Sequence, residues 1–271
     1  MNQTEEKRFE FGKNWLDFIQ KNYSRAKVET SKQHMLKFMG KDNLNGLTLL
    51  DIGCGSGLHS TAALLAGASS VHGFDYDPHS VEATRFVQRQ ADNPDNWTAE
   101  QGSVLDDAFM EKLPLYDVVY SWGVLHHTGD VWRAIRNAAG RVRPGGLLYI
   151  SLYSSDAPMT MNPQFWLDVK RKYVSSDRLK RRYMEVWYIW RFQLRRNPLR
   201  LPKFLKRIYD HRKNRGMNVF TDIRDWLGGW PMEFVHDADA IEFCKKLGFK
   251  LEKTKTGEAC TEFLFVRNCA G

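Results

Sequence analysis

Apolar positions fall into two rhythms along this chain. Residues 47–52 (LTLLDI) form a short apolar run that ends at a cluster of glycines. Residues 58–66, rich in Ala and Leu, follow and close at Gly67. The pattern then repeats. Residues 71–75 read as a second strand and 78–90 as a second helix. A third strand should end near Gly102, residues 116–121 make another strand, 131–142 another helix, and 147–152 another strand. Strands alternating with helices predict a parallel sheet with helices on both faces, and buried parallel strands read as continuous apolar runs like these.

The flanks keep a different time. Residues 1–40 read as a helical lead-in, with Phe11, Trp15, Phe18 and Ile19 at helical spacing and Met35, Leu36 and Met39 likewise. A Gly/Asn-rich break at 40–46 ends it. Residues 156–235 interrupt the strand–helix alternation. They are rich in Trp, Tyr, Arg and Lys, are punctuated by prolines at 158, 163, 198, 202 and 231, and are predicted largely helical. The alternation resumes with a helix at 237–247 stopped by Gly248 and strands at 249–255 and 261–267. The last two are joined by a short turn at Gly257 and should be antiparallel. The expected organisation is an N-terminal helical cap (1–46), a nucleotide-binding core (47–155), a basic, aromatic-rich insertion (156–235) and a C-terminal helix with an antiparallel strand pair completing the core (236–271).

Composition narrows the class. Of 271 residues, 42% are hydrophobic and 27% charged, the range of an ordinary globular chain with a sizeable core. The start, MNQTEEKRFEFG, lacks the apolar stretch of a secretory leader, and no apolar run approaches the roughly 18 residues of a membrane span, so a soluble cytoplasmic protein is expected. Cys54, Cys244, Cys260 and Cys269 make no C-x-x-C pair, which predicts reduced thiols and no metal site. Charge is unevenly spread. Residues 168–215 hold 17 Lys/Arg against 4 Asp/Glu, whereas the rest of the chain holds 23 against 28.

The sharpest chemical signal is LLDIGCGSG at 49–57, where a strand runs into a turn containing Gly53, Gly55 and Gly57 and then a helix. Glycines let the backbone approach a ligand, and the helix N-terminus offers free N–H groups. Dinucleotide sites use G-x-G-x-x-G, but Leu58 stands where the third glycine would be. Asp51, two residues before the turn, is awkward beside a pyrophosphate and acceptable beside an ammonium. The spacing therefore favours a ligand carrying an amino-acid group. Asp75 ends the second strand, where a carboxylate can accept both ribose hydroxyls. Asp77, before Pro78, suits a helix N-cap instead. Tyr76 is a candidate to lie against the adenine, and the backbone of Ser103 and Val104 to read its edge.

Five segments in order, LLDIGCGSG, FDYD (74–77), GSVLD (102–106), YDVVYSWGVLHHTGD (116–130) and RPGGLLYIS (143–151), resemble the successive motifs of class I S-adenosylmethionine (SAM)-dependent methyltransferases over roughly residues 47–152. FGKNW (11–15) and DWLGGWPMEF (225–234) are similar to members of the ubiquinone-biosynthesis-type, small-molecule branch. The resemblance implies a Rossmann-like sheet of seven strands with the last antiparallel. It implies SAM as cofactor, with S-adenosylhomocysteine as product. Gly53 and Gly55, with Cys54 between them, would sit at the methionine moiety, Asp75 at the ribose and Ser103–Val104 at the adenine. Ser121 and Trp122 would flank the methionine end. Apart from the resemblance, Lys13 and Trp15 are candidates to close the site from the N-terminal side.

Transfer of a sulfonium methyl group needs alignment above all, and a general base only if the acceptor must lose a proton. His126 and His127, just past the strand end at Ser121, and Tyr153, past the strand at 147–152, are the catalytic candidates. The alternatives are an imidazole packed under a helix and a tyrosine that only walls the pocket. Trp226, Trp230 and Glu233, around the Gly228-Gly229 turn, are candidates to line the acceptor site, with ordinary core anchoring as the competing account. The basic segment suits an amphipathic cap over the pocket. Three sharper readings compete for it: an anionic small-molecule acceptor, a membrane surface and, ranked last, nucleic acid. The expected function is methyl transfer to an oxygen, with nitrogen not excluded, of a small acidic or phenolic acceptor. The competing classes are an RNA or protein methyltransferase and a non-catalytic SAM-binding partner subunit.

Overall fold

A computed structural model describes residues 11–214 and 219–269, and within them all side chains except those of residues 11, 18, 21, 22 and 210–214. Residues 1–10 of the expected lead-in and 215–218 of the basic segment lie outside the described residues, as do the side chains of Phe11, Phe18, Arg212 and Lys213. Two helices lead in, α1 (Phe11–Asn22) and α2 (Arg25–Met39), the second closed by Gly40 in the left-handed conformation. The alternating stretch follows as β1 (Thr48–Ile52), α3 (Leu58–Leu65), β2 (Ser70–Asp75), α4 (Pro78–Gln90), β3 (Trp97–Gln101), α5 (Asp107–Lys112), β4 (Tyr116–Trp122), α6 (Val131–Gly140) and β5 (Val142–Tyr153). Then come α7 (Pro163–Ser175), α8 (Arg178–Tyr188), α9 (Leu201–Asn214) and α10 (Val219–Gly228). The described chain ends with α11 (Asp237–Lys246), β6 (Phe249–Thr256) and β7 (Cys260–Arg267).

Among the described residues the strands form one seven-stranded sheet in the order β3-β2-β1-β4-β5-β7-β6. β1 to β5 pair in parallel, and β7 runs antiparallel to both β5 and β6. The order reverses between β1 and β4, and ligands of open α/β sheets bind in the crevice beyond the strand ends at such a switch point. One boundary differs from the expectation. The helix predicted over 131–142 stops at Gly140, and β5 starts at Val142, five residues before the predicted strand. Val142 is fully buried and pairs with Tyr116, so sheet pairing claims the residue that helical periodicity would have assigned to α6.

Alternation along the strands sends side chains to two cores. Leu49, Val71, Val118 and Tyr149 pack against the lead-in and α3–α4 through Ile19, Met35, Phe38 and Ala63. Leu50, Val119, Ile150 and Phe263 pack against α5, α6 and α11 through Met110, Ile135, Ala138 and Cys244. Helices α7–α10 hold a third, smaller core around Tyr173, Met184, Phe204, Ile223 and Leu227. Its return to the sheet is stitched at residues 233–235. The Val235 N–H donates to the Tyr153 carbonyl at 3.0 Å, and the Glu233 N–H donates to the His126 carbonyl at 2.8 Å. No helix among the described residues is long and apolar enough to cross a membrane.

Candidate active site

The turn after β1 is built by backbone geometry. Gly53, Gly55 and Gly57 all have positive φ, at 75°, 53° and 75°. A Cβ at Gly53 would lie 2.5 Å from the Val124 side chain, so this glycine is required by packing. At Gly55 the same addition meets nothing nearer than 3.9 Å. Its backbone faces open space, as a cradle for a closely approaching ligand requires. The Gly53 and Cys54 N–H groups both donate to the Phe74 carbonyl, which locks the turn onto β2.

Two carboxylates face this turn. Asp75 is partly exposed and accepts from the Gly55 N–H at 3.0 Å and the Asp77 N–H at 2.9 Å. Ser80 adds a side-chain hydrogen bond, so backbone and side chain together fix the carboxylate at the strand end. Burial pushes its pKa up to about 6. Asp51 is buried, accepts from the Ser60 hydroxyl at 2.6 Å, and is pushed up to about 7 by burial, with Asp75 adding to the effect. A cationic ligand would favour the charged form of both. Tyr76 stands 59% exposed on the rim. Asp77 N-caps α4 through the His79 N–H, as its position before Pro78 implies, and also accepts from the Gly12 N–H of α1 at 2.8 Å.

Other predicted cofactor residues take partly structural posts. The Ser121 hydroxyl is fully buried and donates to the Ile52 carbonyl, tying β4 to β1 below the crevice. Its side chain is therefore committed to the scaffold. Trp122 is 42% exposed beyond it, its indole N–H directed at Glu262. Cys54 is buried under Thr84. Val104 is buried and its carbonyl accepts from Asn137, while the Ser103 hydroxyl accepts from the Leu105 N–H and closes the turn before α5.

Beyond β4 and β5 the structure gathers His126, His127, Tyr153 and Trp226. The ring of Tyr153 lies 4.4 Å from that of His126 and 5.7 Å from those of His127 and Trp226. Hydrogen bonding fixes the tautomers. The Tyr153 N–H donates to His126 Nδ1, so the proton of this neutral ring sits on Nε2. That Nε2 is buried with no partner among the described residues. In this tautomer His126 offers a donor at Nε2, where the expected base would offer a lone pair. His127 Nδ1 lies 2.8 Å from the Pro231 carbonyl, so Nδ1 carries the proton of this ring. Burial drives both imidazoles down, His127 to about 3, with Lys170 adding to the effect. Burial also pushes the Tyr153 hydroxyl up, which makes it a wall and a donor rather than a base.

Lys170, read in sequence only as part of a charge run, is the surprise. It is 1% exposed, donates to the Trp226 carbonyl and lies 4.2 Å from the centre of the Trp226 ring. Burial brings its pKa down to about 7. The indole N–H of Trp226 is itself buried and unpartnered among the described residues. Asp225, pushed up to about 7 by burial, accepts from the Asn14 amide of α1 at 2.7 Å. Two further candidates have contacts of their own. Glu233 accepts from the Val131 N–H at 2.9 Å, at the N-terminus of α6. The Trp230 ring carries the Arg171 guanidinium 4.9 Å from its centre. Lys170 lies on the helical stripe of Trp166, Tyr173 and Val174, and that spacing was the signal that could have marked it as inward-facing. For Asn14 the available signal was the FGKNW motif itself.

The switch-point crevice, the glycine turn with a carboxylate across it, and the antiparallel β7 define the fold of class I SAM-dependent methyltransferases. A family model described as "Methyltransferase domain" matches residues 24–236. The chain belongs to that family. It is 33% identical over 112 residues to a tRNA U34 carboxymethyltransferase of Idiomarina loihiensis, covering 40% of this chain and 33% of the relative. It is 31% identical over 125 residues to a ubiquinone biosynthesis O-methyltransferase of Rhizobium rhizogenes, covering 44% and 48%. The chain thus spans between a third and a half of these relatives' length. Among solved structures, magnesium protoporphyrin IX methyltransferase from Synechocystis PCC 6803 with bound S-adenosylhomocysteine superimposes with a TM-score of 0.55 at 16% identity, covering 94% of each chain. That likeness concerns the fold.

Proposed function

We propose that this chain binds SAM in the β1 turn and transfers its methyl group to an oxygen of a small anionic acceptor, a carboxylate or a phenol. The observation that carries the reading is a pair of buried, unpartnered N–H donors, His126 Nε2 and Trp226 Nε1, on either side of Tyr153 with the Lys170 ammonium adjacent. An unsatisfied buried donor costs about 1–3 kcal/mol, so such donors await an acceptor atom. Two of them with an ammonium select an anionic oxygen over an amine, which would bring donors of its own. SAM supplies an activated methyl group for in-line transfer. The chain orients the accepting oxygen and excludes water. A carboxylate needs no base, and a phenol would have to bind as its phenolate, because burial leaves the His127 imidazole, at about 3, too weak to take the proton. The relative named for ubiquinone biosynthesis supports the small-molecule class.

The test is a panel of aromatic and aliphatic acids, phenols and matched amines, incubated with radiolabelled SAM. Acids or phenols should be labelled, and Trp226→Phe should raise the acceptor KM about tenfold while SAM affinity by calorimetry stays constant. Preferential labelling of amines, or of RNA, with Trp226→Phe silent would defeat the reading.

A further inference from the structure

The outer face of the α8–α9 region presents apolar side chains to solvent in an ordered way. Leu179, Tyr183, Val186 and Trp190 are 84%, 71%, 65% and 44% exposed. Their spacing of four, three and four residues puts them on one stripe of α8 and its π-helical continuation at Ile189–Gln193. The opposite side of the helix carries Met184, Glu185 and Tyr188 into the cap core, so the stripe is not a displaced core face. Leu199, Leu201, Leu205 and Tyr209 continue the exposure at 84%, 46%, 55% and 71% across the turn into α9.

Charge surrounds these residues and has one sign. Arg178, Lys180 and Arg182 flank the α8 stripe, and Lys203, Lys206 and Arg207 flank the α9 residues, all exposed. Between residues 178 and 209 the only carboxylate is Glu185, which is buried and accepts from the Tyr173 hydroxyl at 2.8 Å. Apolar residues in the centre with long cationic side chains at the margins form the pattern of a helix lying in a bilayer interface. There the apolar stripe enters the acyl boundary and the cations reach anionic headgroups. Nucleic acid would place its phosphates where the leucines and valine stand, leaving them against charge.

We propose that this face docks on the surface of an anionic lipid bilayer. The docking rests on the cap's exterior alone and is independent of which acceptor the site takes.

The experiment is co-sedimentation of the full chain with phosphatidylglycerol vesicles and with phosphatidylcholine vesicles, at low and at 0.5 M salt. Wild type should pellet with the anionic vesicles, at least tenfold less with the neutral ones, and less at high salt. Leu179→Asp combined with Val186→Asp should reduce vesicle binding at least tenfold while SAM affinity is retained, as should Arg178→Glu combined with Lys180→Glu. Absence of wild-type binding to anionic vesicles overturns the proposal. So does binding that survives the aspartates. A concentration-dependent dimer in sedimentation equilibrium that the aspartates dissolve, with vesicles ignored, assigns the face to a second copy instead. Capture of RNA with vesicles ignored assigns it to nucleic acid.

Discussion

At the scale of single residues, the proposed site depends on charges that burial disfavours. Asp75 is held by two backbone N–H groups where the proposed ribose would lie. Each charge-assisted hydrogen bond contributes about 1.5–3 kcal/mol, so Asp75→Ala should weaken SAM binding about tenfold to a hundredfold in a calorimetric titration. Unchanged affinity would remove the ribose assignment. Lys170 makes a sharper test because its sign is unusual. Its ammonium titrates near 7 in the fold and near 10.5 in the unfolded chain. Above pH 7 the unfolded state therefore holds the extra proton, and raising the pH favours the fold, by at most about 1.4 kcal/mol per unit. Below pH 7 the full penalty of the buried charge is present. Urea unfolding at pH 7, 8 and 9 should show this climb in the wild type and its loss in Lys170→Met. The same titration should weaken anionic acceptors as pH rises through 7.

At the scale of elements, α1 is the piece whose importance exceeds its size. It packs on α4, donates from Gly12 to Asp77, and reaches Asp225 through Asn14. A Cβ at Gly12 would lie 2.5 Å from the Asp77 carboxylate, which is itself pinned as the α4 cap. Overpacking of this kind costs about 1–3 kcal/mol. Gly12→Val should therefore lift α1 and weaken SAM binding about tenfold by titration, with α2 and the sheet unaffected in circular dichroism. The sheet was legible in the sequence because period and burial coincide: β1, β2, β4 and β7 are apolar runs because helices or other strands cover them. The glycine turn and Asp75 were legible for the same local reason, since a strand end followed by glycines has few other uses. What was not legible depends on distant parts of the chain. The end of α6 was set by Val142 pairing with Tyr116, not by the helical period. The tautomers of His126 and His127 were set by a backbone N–H from Tyr153 and a carbonyl from Pro231. Lys170 looked like one more surface cation until α10 folded over it.

At the scale of the whole molecule, two cores cover the faces of the sheet and a third, smaller one sits inside the α7–α10 cap. Segments with fewer buried apolar residues open at lower free energy. Hydrogen exchange should therefore be faster in α8 and α9 than in β1, β4 and β5. SAM should slow exchange at the β1 turn and α1, whereas an acceptor should slow it in α7 and α10 around Lys170 and Trp226. Uniform exchange over cap and sheet would mean that they open as one unit. Helix α1 has a consequence for the two halves of the proposed site. Its Gly12 amide is fastened beside the end of β2 and its Asn14 side chain beside Trp226, so one short helix clasps both. On the proposed reading, loosening that clasp at either bond should be felt at the far compartment as well as the near one.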